Sequence, residues 1–269
     1  MDQETTPSAR AARDELAAAA IEAGAVALRF FRHGAATSAE VKSKQGGSPV
    51  SEADLAADAL MSRRLRQAFP AAGWLSEETA DDPERLSRRA LVVVDPIDGT
   101  KAFVSGDPRW AVCAALIVDG RPIAGVVHAP ALGETYVAAR GEGAALNGAR
   151  LRAQRRLDPG RLAAAGPKPI LEAMAKKLGV SLDIAPRVPS LAYRLCMAAR
   201  GTIAFATASR DSHDWDIAAA DLILEEAGAR LMDDSGEPLV YNTRHIRRKA
   251  LLAAPERFAP RLLEAFRAA

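Results

Sequence analysis

A run of apolar residues that leads directly into an acidic turn is the feature that most constrains this chain. Residues 91–94 are Leu-Val-Val-Val, and such a mostly β-branched run predicts a buried strand. Residues 95–100, Asp-Pro-Ile-Asp-Gly-Thr, follow at once. Pro96 removes a backbone donor and is expected to end the strand's hydrogen bonding, while Gly99 permits a close backbone approach that a side chain would obstruct. The sequence therefore predicts a buried strand that presents a polar turn.

The two carboxylates of this turn allow two interpretations. Asp95 and Asp98 stand three residues apart and repel each other unless a positive charge lies between them. Hard oxygen ligands of this kind suit Mg²⁺ or Mn²⁺. Aspartates are also ordinary turn formers that accept hydrogen bonds from nearby backbone amides. The turn by itself leaves both a metal site and an Asx-rich loop open.

Three further acidic stretches decide between these interpretations by resemblance. They are Ser-Glu-Ala-Asp at 51–54, Ser-Glu-Glu at 76–78 and Trp-Asp-Ile-Ala-Ala at 215–219. Together with residues 95–100, they resemble, in order, the motifs of the inositol monophosphatase family of metal-dependent, lithium-sensitive phosphomonoesterases. The resemblance spans most of the chain. It implies an α/β (α+β) fold, a layered αβαβα sandwich, with one catalytic domain over 1–269 in two halves, about 1–150 and 151–269.

The resemblance also implies a set of metal ligands. Glu77, Asp95 and the backbone carbonyl of Ile97 are expected to bind one Mg²⁺ ion. A second ion is expected between Asp95, Asp98 and Asp216, so that Asp95 bridges the pair. Two or three ions per site are expected, with Mn²⁺ as a substitute.

The family's catalytic residues map onto the same segments. The resemblance implies that Thr100 binds the attacking water, that Asp54 orients that water or accepts its proton, and that a third ion or a water lies near Glu77. The backbone amides of Gly99 and Thr100 are expected to bind phosphate. The residues alone also explain Asp54 as half of a helix-capping box with Ser51, so a structural role stays open.

Three features favour the 3'(2'),5'-bisphosphate nucleotidase (CysQ-like) branch of the family. Residues 43–50 resemble the segment that precedes the first acidic motif in that branch. A lysine directly after Asp-Gly-Thr, which is Lys101 in this chain, is also common there. Ser209 stands seven residues before Asp216, where inositol-specific members carry an acid. The implied reaction is hydrolysis of the 3'-phosphate of adenosine 3',5'-bisphosphate, with Asp216 also contacting substrate.

A second phosphate on the substrate calls for cations, and Lys44, Lys101 and Arg210 lie in segments that can supply them. An inositol-1-phosphate phosphatase is the first alternative. Residues 103–108 also resemble the histidinol-phosphatase branch. The alternative from another class is a non-catalytic protein of the transcription machinery.

Composition limits the partners and the compartment. The formal net charge is only +2, which does not indicate a nucleic-acid or membrane surface, and the basic run at 244–249 is typical of a solvated face. Cys113 and Cys196 lack metal-ligand spacing and predict buried free thiols, as in a reducing cytoplasm. The polar start of the sequence and the lack of a long apolar run predict a cytoplasmic protein. A homodimer remains open.

Further expectations concern single segments. The helix after Ser51 is expected to place Leu55, Ala59, Leu65 and Phe69 on one apolar face. The resemblance implies that Glu78, next to the ligand Glu77, is exposed. Residues 110–118, 122–129 and 134–139 predict an antiparallel meander, followed by alternating helices and strands.

Overall fold

A computed structural model describes residues 7–44, 47 and 49–269 of the protein. The elements of the first half are α1 (Ala9–Leu28), β1 (Val41–Ser43), β2 (Pro49–Ser51), α2 (Glu52–Ala68), β3 (Gly73–Ser76), β4 (Ala90–Asp98), α3 (Thr100–Ser105), β5 (Ala111–Val118), β6 (Arg121–Ala129), β7 (Glu134–Ala139), β8 (Gly143–Leu146) and β9 (Ala149–Arg150). Those of the second half are β10 (Arg161–Ala165), α4 (Lys168–Leu178), β11 (Ser181–Ile184), α5 (Leu191–Ala199), β12 (Phe205–Ala208), α6 (Asp214–Ala227), β13 (Ala229–Met232), β14 (Leu251–Pro255) and α7 (Ala259–Arg267).

In the described residues, the fold consists of two mixed sheets, three helical layers and a small antiparallel ribbon of β1 and β2. The first sheet has the strand order β3-β4-β5-β6-β7-β8-β9, and the second has β11-β10-β12-β14-β13. Helices α1 and α2 cover the outer face of the first sheet, α5 and α6 lie between the sheets, and α4 and α7 cover the outer face of the second. The predicted αβαβα sandwich is confirmed.

The central strand β4 sorts its side chains between two cores. Leu91 and Val93 pack toward α5 and α6, whereas Val92 and Val94 pack toward α1 and α2, as the two-residue period of a strand requires. β3 runs parallel to β4, with Ser76 opposite Val94. The residues that follow these two positions therefore emerge at the same edge of the sheet.

The acidic turn belongs to the strand rather than ending it. β4 continues to Asp98, but its register against β5 shifts between Asp95 and Asp98. Pro96 and Ile97 together face Val112, so Pro96 sits in a bulge where its missing donor is not needed. The expectation that Pro96 ends the hydrogen bonding of the strand is corrected accordingly.

The predicted apolar face of α2 is wrong in part. Leu65 and Phe69 are buried, but Leu55 and Ala59 are exposed. Asp54 of the capping box is buried, and the face of α2 that continues from it packs on α1 and the sheet. That face consists of Ala53, Ala57, Met61 and Leu65.

Other expectations are met. β5, β6 and β7 form the predicted antiparallel meander, and Asp119 and Gly120 both adopt positive φ in the first hairpin turn. Cys113 and Cys196 are buried free thiols. Within the described ranges, no helix combines the length and the apolar character that crossing a membrane requires.

The segment that resembles histidinol-phosphatases has clear packing roles. Phe103 packs with Phe31 and Trp110 at ring-centroid distances of 5.8 and 5.0 Å. Gly106 has φ +78°, and a Cβ there would collide with the backbone oxygens of Arg32 and Ala35. These residues are therefore explained by the contact between α3 and the loop after α1.

Gly106→Ala is expected to destabilise the protein by more than about 2 kcal/mol, because left-handed strain adds to the collision. Gly133→Ala is the matched control, since Gly133 has φ +65° but no atom within 4 Å of the added methyl. Its cost is the strain alone, about 1 kcal/mol. Urea unfolding measures both losses, and equal losses would contradict the collision.

Candidate metal centre and its surroundings

Three aspartates from distant parts of the chain converge at one edge of the first sheet. Asp95 and Asp98 come from the bulged end of β4, and Asp216 comes from the first turn of α6. One carboxylate oxygen of each lies within 4.8 Å of the others. Asp95 Oδ1 accepts a hydrogen bond from Ile97 N at 3.0 Å, but its buried Oδ2 has no hydrogen-bond partner among the described residues.

The charges of this cluster are poorly compensated by the protein. Burial and the neighbouring carboxylates raise the pKa values of Asp95 and Asp216 well above the ordinary value. Burial also raises the pKa of Asp98 to about 6, although hydrogen bonds oppose the shift. Among the described residues, no lysine or arginine lies within ion-pair distance of the three. The hard oxygen donors and the orphaned Asp95 Oδ2 fit a divalent cation such as Mg²⁺.

Asp98 is held in place by the N-terminus of α5. Its Oδ2 accepts from Ser190 Oγ at 2.6 Å and from Ala192 N at 2.7 Å, and its Oδ1 accepts from Leu191 N at 3.3 Å. Sequence analysis missed Ser190 as a site residue. Its position before an apolar helix signals an N-cap, but nothing local links it to an aspartate 92 residues away.

Ser190→Ala is expected to weaken Mg²⁺ binding about tenfold, because a ligand without its supporting hydrogen bond is less well oriented. Ser8→Ala is the matched control: Ser8 caps α1 through Ala11 N in the same way, away from the carboxylates. Both variants lose a cap, so both should unfold at a slightly lower temperature. Titration calorimetry with Mg²⁺ separates them, and unchanged affinity in Ser190→Ala would contradict the assignment.

Gly99 makes the contact between the turn and α5 possible. Its φ is +93°, and a Cβ there would lie 3.1 Å from Ser190 N. A side chain would therefore be strained and would press on the residue that positions Asp98. The Ile97 carbonyl accepts from Thr100 Oγ1 at 3.1 Å, so the whole turn is folded tightly on itself.

Glu77 lies beside the cluster but is paired with a lysine. Lys44 Nζ is 2.9 Å from Glu77 Oε1 and 2.7 Å from Glu78 Oε1. The charge of Glu77 contributes to the raised pKa of Asp95. The expectation that Glu78 is exposed is wrong, since its side chain is only 4% exposed and burial raises its pKa to about 7. The reason is its hydrogen bond to Lys44, which keeps a buried acid paired.

Asp54 combines a capping role with a contact to the turn. Its Oδ2 accepts from Ser51 N at 2.8 Å and from the Ser51 hydroxyl, which completes the predicted capping box. Its Oδ1 lies 3.2 Å from Thr100 Oγ1. Burial raises the pKa of Asp54, although the bonds from Ser51 oppose the shift. The two oxygens thus face the helix cap and the Thr100 hydroxyl respectively.

The remaining predicted substrate residues lie in different surroundings. Lys101 is exposed on α3. Arg210 is exposed and lines a cavity of about 360 Å³ next to the C-terminal helix. His213 stacks on Trp215 at 4.5 Å, and its backbone N donates to Asp216 Oδ2 at 2.6 Å. Among the described cations, Lys44 therefore lies near Glu77 whereas Arg210 faces a separate cavity.

Comparison with known proteins identifies the family. The model of the inositol monophosphatase family matches residues 12–269. Inositol monophosphatase 2 of Solanum lycopersicum is 31% identical over 248 residues, 87% of this chain and 92% of that protein. The 3'(2'),5'-bisphosphate nucleotidase CysQ of Aggregatibacter actinomycetemcomitans is 30% identical over 230 residues, 81% of this chain and 82% of that protein. Further relatives are named histidinol-phosphatase and Nus factor SuhB.

Solved structures agree with the fold. The extragenic suppressor protein suhB of Bartonella henselae aligns with a TM-score of 0.79 at 26% identity, covering 95% of this chain and 98% of that one. The matches extend over nearly the whole sequence and share its layered architecture. The chain belongs to the inositol monophosphatase family.

Proposed function

We propose that the chain is a Mg²⁺-dependent phosphomonoesterase whose metal ligands are Asp95, Asp98, Asp216, Glu77 and the carbonyl of Ile97. The observation that carries the proposal is the convergence of three carboxylates, one of which has a buried oxygen with no hydrogen-bond partner in the described part of the chain. Membership of a phosphatase family supports the same reaction class. Mn²⁺ suits the same oxygen donors.

The chain's own residues supply a route for the water's proton. Bound Mg²⁺ would neutralise phosphoryl charge and increase the acidity of the attacking water. The Thr100 hydroxyl lies 3.2 Å from Asp54 Oδ1, so it can donate to Asp54 while accepting from that water. The raised pKa of Asp54 makes its carboxylate a better proton acceptor. The amides of Gly99 and Thr100 would hold the phosphate.

Adenosine 3',5'-bisphosphate is the proposed substrate. Ser209 occupies the position at which inositol-specific members carry an acid, and exposed Arg210 lies beside it. The relative named as a bisphosphate nucleotidase supports this choice. Inositol 1-phosphate is the second candidate, since another relative is named for that activity. The buried free thiols of Cys113 and Cys196 support a cytoplasmic location of the enzyme.

Phosphate release from adenosine 3',5'-bisphosphate, inositol 1-phosphate and histidinol phosphate tests the proposal. We expect release with Mg²⁺, none with EDTA, and the nucleotide as the preferred substrate. Preference for either of the other two esters would change the proposed substrate but leave the proposed reaction class unchanged. Release in EDTA equal to that in Mg²⁺ would reject the metal site, and no release from any ester would favour the interaction-protein alternative.

A further inference from the structure

Residues 240–248, here called the crossing segment, form neither helix nor strand and run across the start of α6. Two backbone hydrogen bonds join the crossing segment to this helix start. Arg248 N donates to Ser212 O at 2.7 Å, and Asp214 N donates to Ile246 O at 3.0 Å. The main chain is therefore held both before α6 and at its first residue.

The orientation of Asp216 depends on the residue between these two bonds. His213 N donates to Asp216 Oδ2 at 2.6 Å, so a backbone amide holds one oxygen of the proposed metal ligand. His213 itself lies between Ser212 and Asp214, whose backbone groups are bonded to the crossing segment. A shift of the crossing segment would move this amide and with it the carboxylate. Hydrogen bonds that orient a ligand in this way affect metal affinity.

A buried ion pair fastens the crossing segment to α6. Arg248 Nε donates to Asp214 Oδ1 at 2.6 Å, and the two side chains are 13% and 0% exposed respectively. Arg248 Nη2 also donates to Val240 O at 2.9 Å, and its guanidinium carbon lies 4.8 Å from the centre of the Tyr241 ring. Tyr241 Oη donates to Asp221 Oδ2 at 2.8 Å, two turns further along α6. Arg248 thus closes the crossing segment on itself and on one face of α6.

Stability alone does not account for this ion pair. Asp214 Oδ2 is buried and has no hydrogen-bond partner among the residues that the structure describes, so the carboxylate is only half satisfied. A buried ion pair often stabilises a protein less than apolar residues of the same volume would, because both charges lose their hydration. The pair lies instead where it fixes a geometry, two residues before Asp216.

We propose that Arg248 and Asp214 are positioning residues, which orient Asp216 for Mg²⁺ through the crossing segment. The inference rests on the proposed function, which makes Asp216 a metal ligand. A positioning role requires weaker Mg²⁺ binding when Arg248 is replaced by a neutral residue. A purely electrostatic role requires tighter binding, because a positive charge near a cation site is removed. A role in stability alone leaves the affinity of the folded protein unchanged.

Titration calorimetry with Mg²⁺ compares Arg248→Ala with the control Arg140→Ala. Arg140 Nη1 lies 3.0 Å from Glu225 Oε1 and its Nε donates to Pro122 O at 3.0 Å, so it makes the same kinds of contact with the last turn of the same helix. We expect roughly tenfold weaker binding in Arg248→Ala and unchanged binding in Arg140→Ala. Arg248→Lys, which keeps the charge, should recover part of the loss. Tighter or unchanged binding in Arg248→Ala would overturn the inference.

A double substitution covers the case in which Arg248→Ala unfolds the protein by leaving Asp214 buried and unpaired. Asp214→Asn with Arg248→Met removes both charges together, so the net charge near the cluster is unchanged and no charge is left unpaired. Circular dichroism verifies its fold. We expect Mg²⁺ binding roughly tenfold weaker than in the wild-type protein.

The wild-type titration keeps this inference distinct from the proposed function. If the wild-type protein binds Mg²⁺ and the double variant binds it equally well, the positioning role is rejected while the metal site stands. If the wild-type protein binds no Mg²⁺, the proposed metal site and the positioning role are rejected together.

Discussion

Asp95→Asn is expected to abolish phosphatase activity while making the metal-free protein more stable. The wild-type carboxylate is buried beside Asp98, Asp216 and Glu77, and within residues 7–44, 47 and 49–269 its Oδ2 has no hydrogen-bond partner. Asp95 is one of the residues that would hold the metal, so its loss should cost several kcal/mol of transition-state stabilisation, roughly a thousandfold in kcat. Without metal, the same substitution removes a repelled buried charge, which should raise Tm by roughly 4 °C.

The sign of the pH dependence follows from the raised pKa of Asp95. A carboxyl whose pKa is higher in the folded state favours folding when protonated, and this contribution is lost as pH rises from about 4 through the folded-state pKa. The stability advantage of Asp95→Asn in EDTA should therefore grow with pH. The difference between variant and wild type removes the contribution of His128 to the pH dependence. Burial lowers the pKa of His128 to about 4, so its contribution to stability changes with pH in the opposite direction.

Thermal unfolding at several pH values, in EDTA and in Mg²⁺, measures these effects. Mg²⁺ should raise the Tm of the wild-type protein but not that of Asp95→Asn. Asp119→Asn is the control, because it makes the same chemical change far from the cluster. Asp119 is exposed and pairs with Arg89. A full Mg²⁺-induced shift in Asp95→Asn would show that this carboxylate is not a ligand.

Asp54→Asn is expected to lower kcat by roughly 10² to 10⁴ while leaving the Mg²⁺-induced rise in Tm intact. The amide cannot accept a proton from the Thr100 hydroxyl, which lies 3.2 Å from Asp54 Oδ1. The carboxylate cluster of Asp95, Asp98 and Asp216 is not altered by the substitution. Steady-state kinetics and thermal unfolding together separate the loss of proton transfer from the loss of metal.

Ser51→Ala controls for the capping role of Asp54. It removes the hydroxyl that bonds Asp54 Oδ2 and should cost about 1 kcal/mol of stability, but it leaves the carboxylate in place. If capping alone explains Asp54, Ser51→Ala and Asp54→Asn should impair kcat to a similar degree. A much larger kcat effect in Asp54→Asn is the expected result.

Predictions from the sequence succeed where neighbouring residues carry the signal. The capping box of Ser51 and Asp54 and the antiparallel meander over residues 110–139 follow from spacing and residue pattern. The acidic motifs identified the family by resemblance. The apolar face of α2 was misjudged because large residues were favoured, whereas small alanines allow the closer approach to α1.

Contacts between distant segments depended on the tertiary structure. Ser190 reaches Asp98, Lys44 pairs with Glu78, and Arg210 faces the C-terminal helix only because the sheets and helices stack in one particular order. These bonds join residues whose separation in sequence carries no periodic signal. The sequence by itself determined the acidic turn, the order of elements and the family. The tertiary structure decided which cations lie near the carboxylates, because charge compensation depends on distance in space.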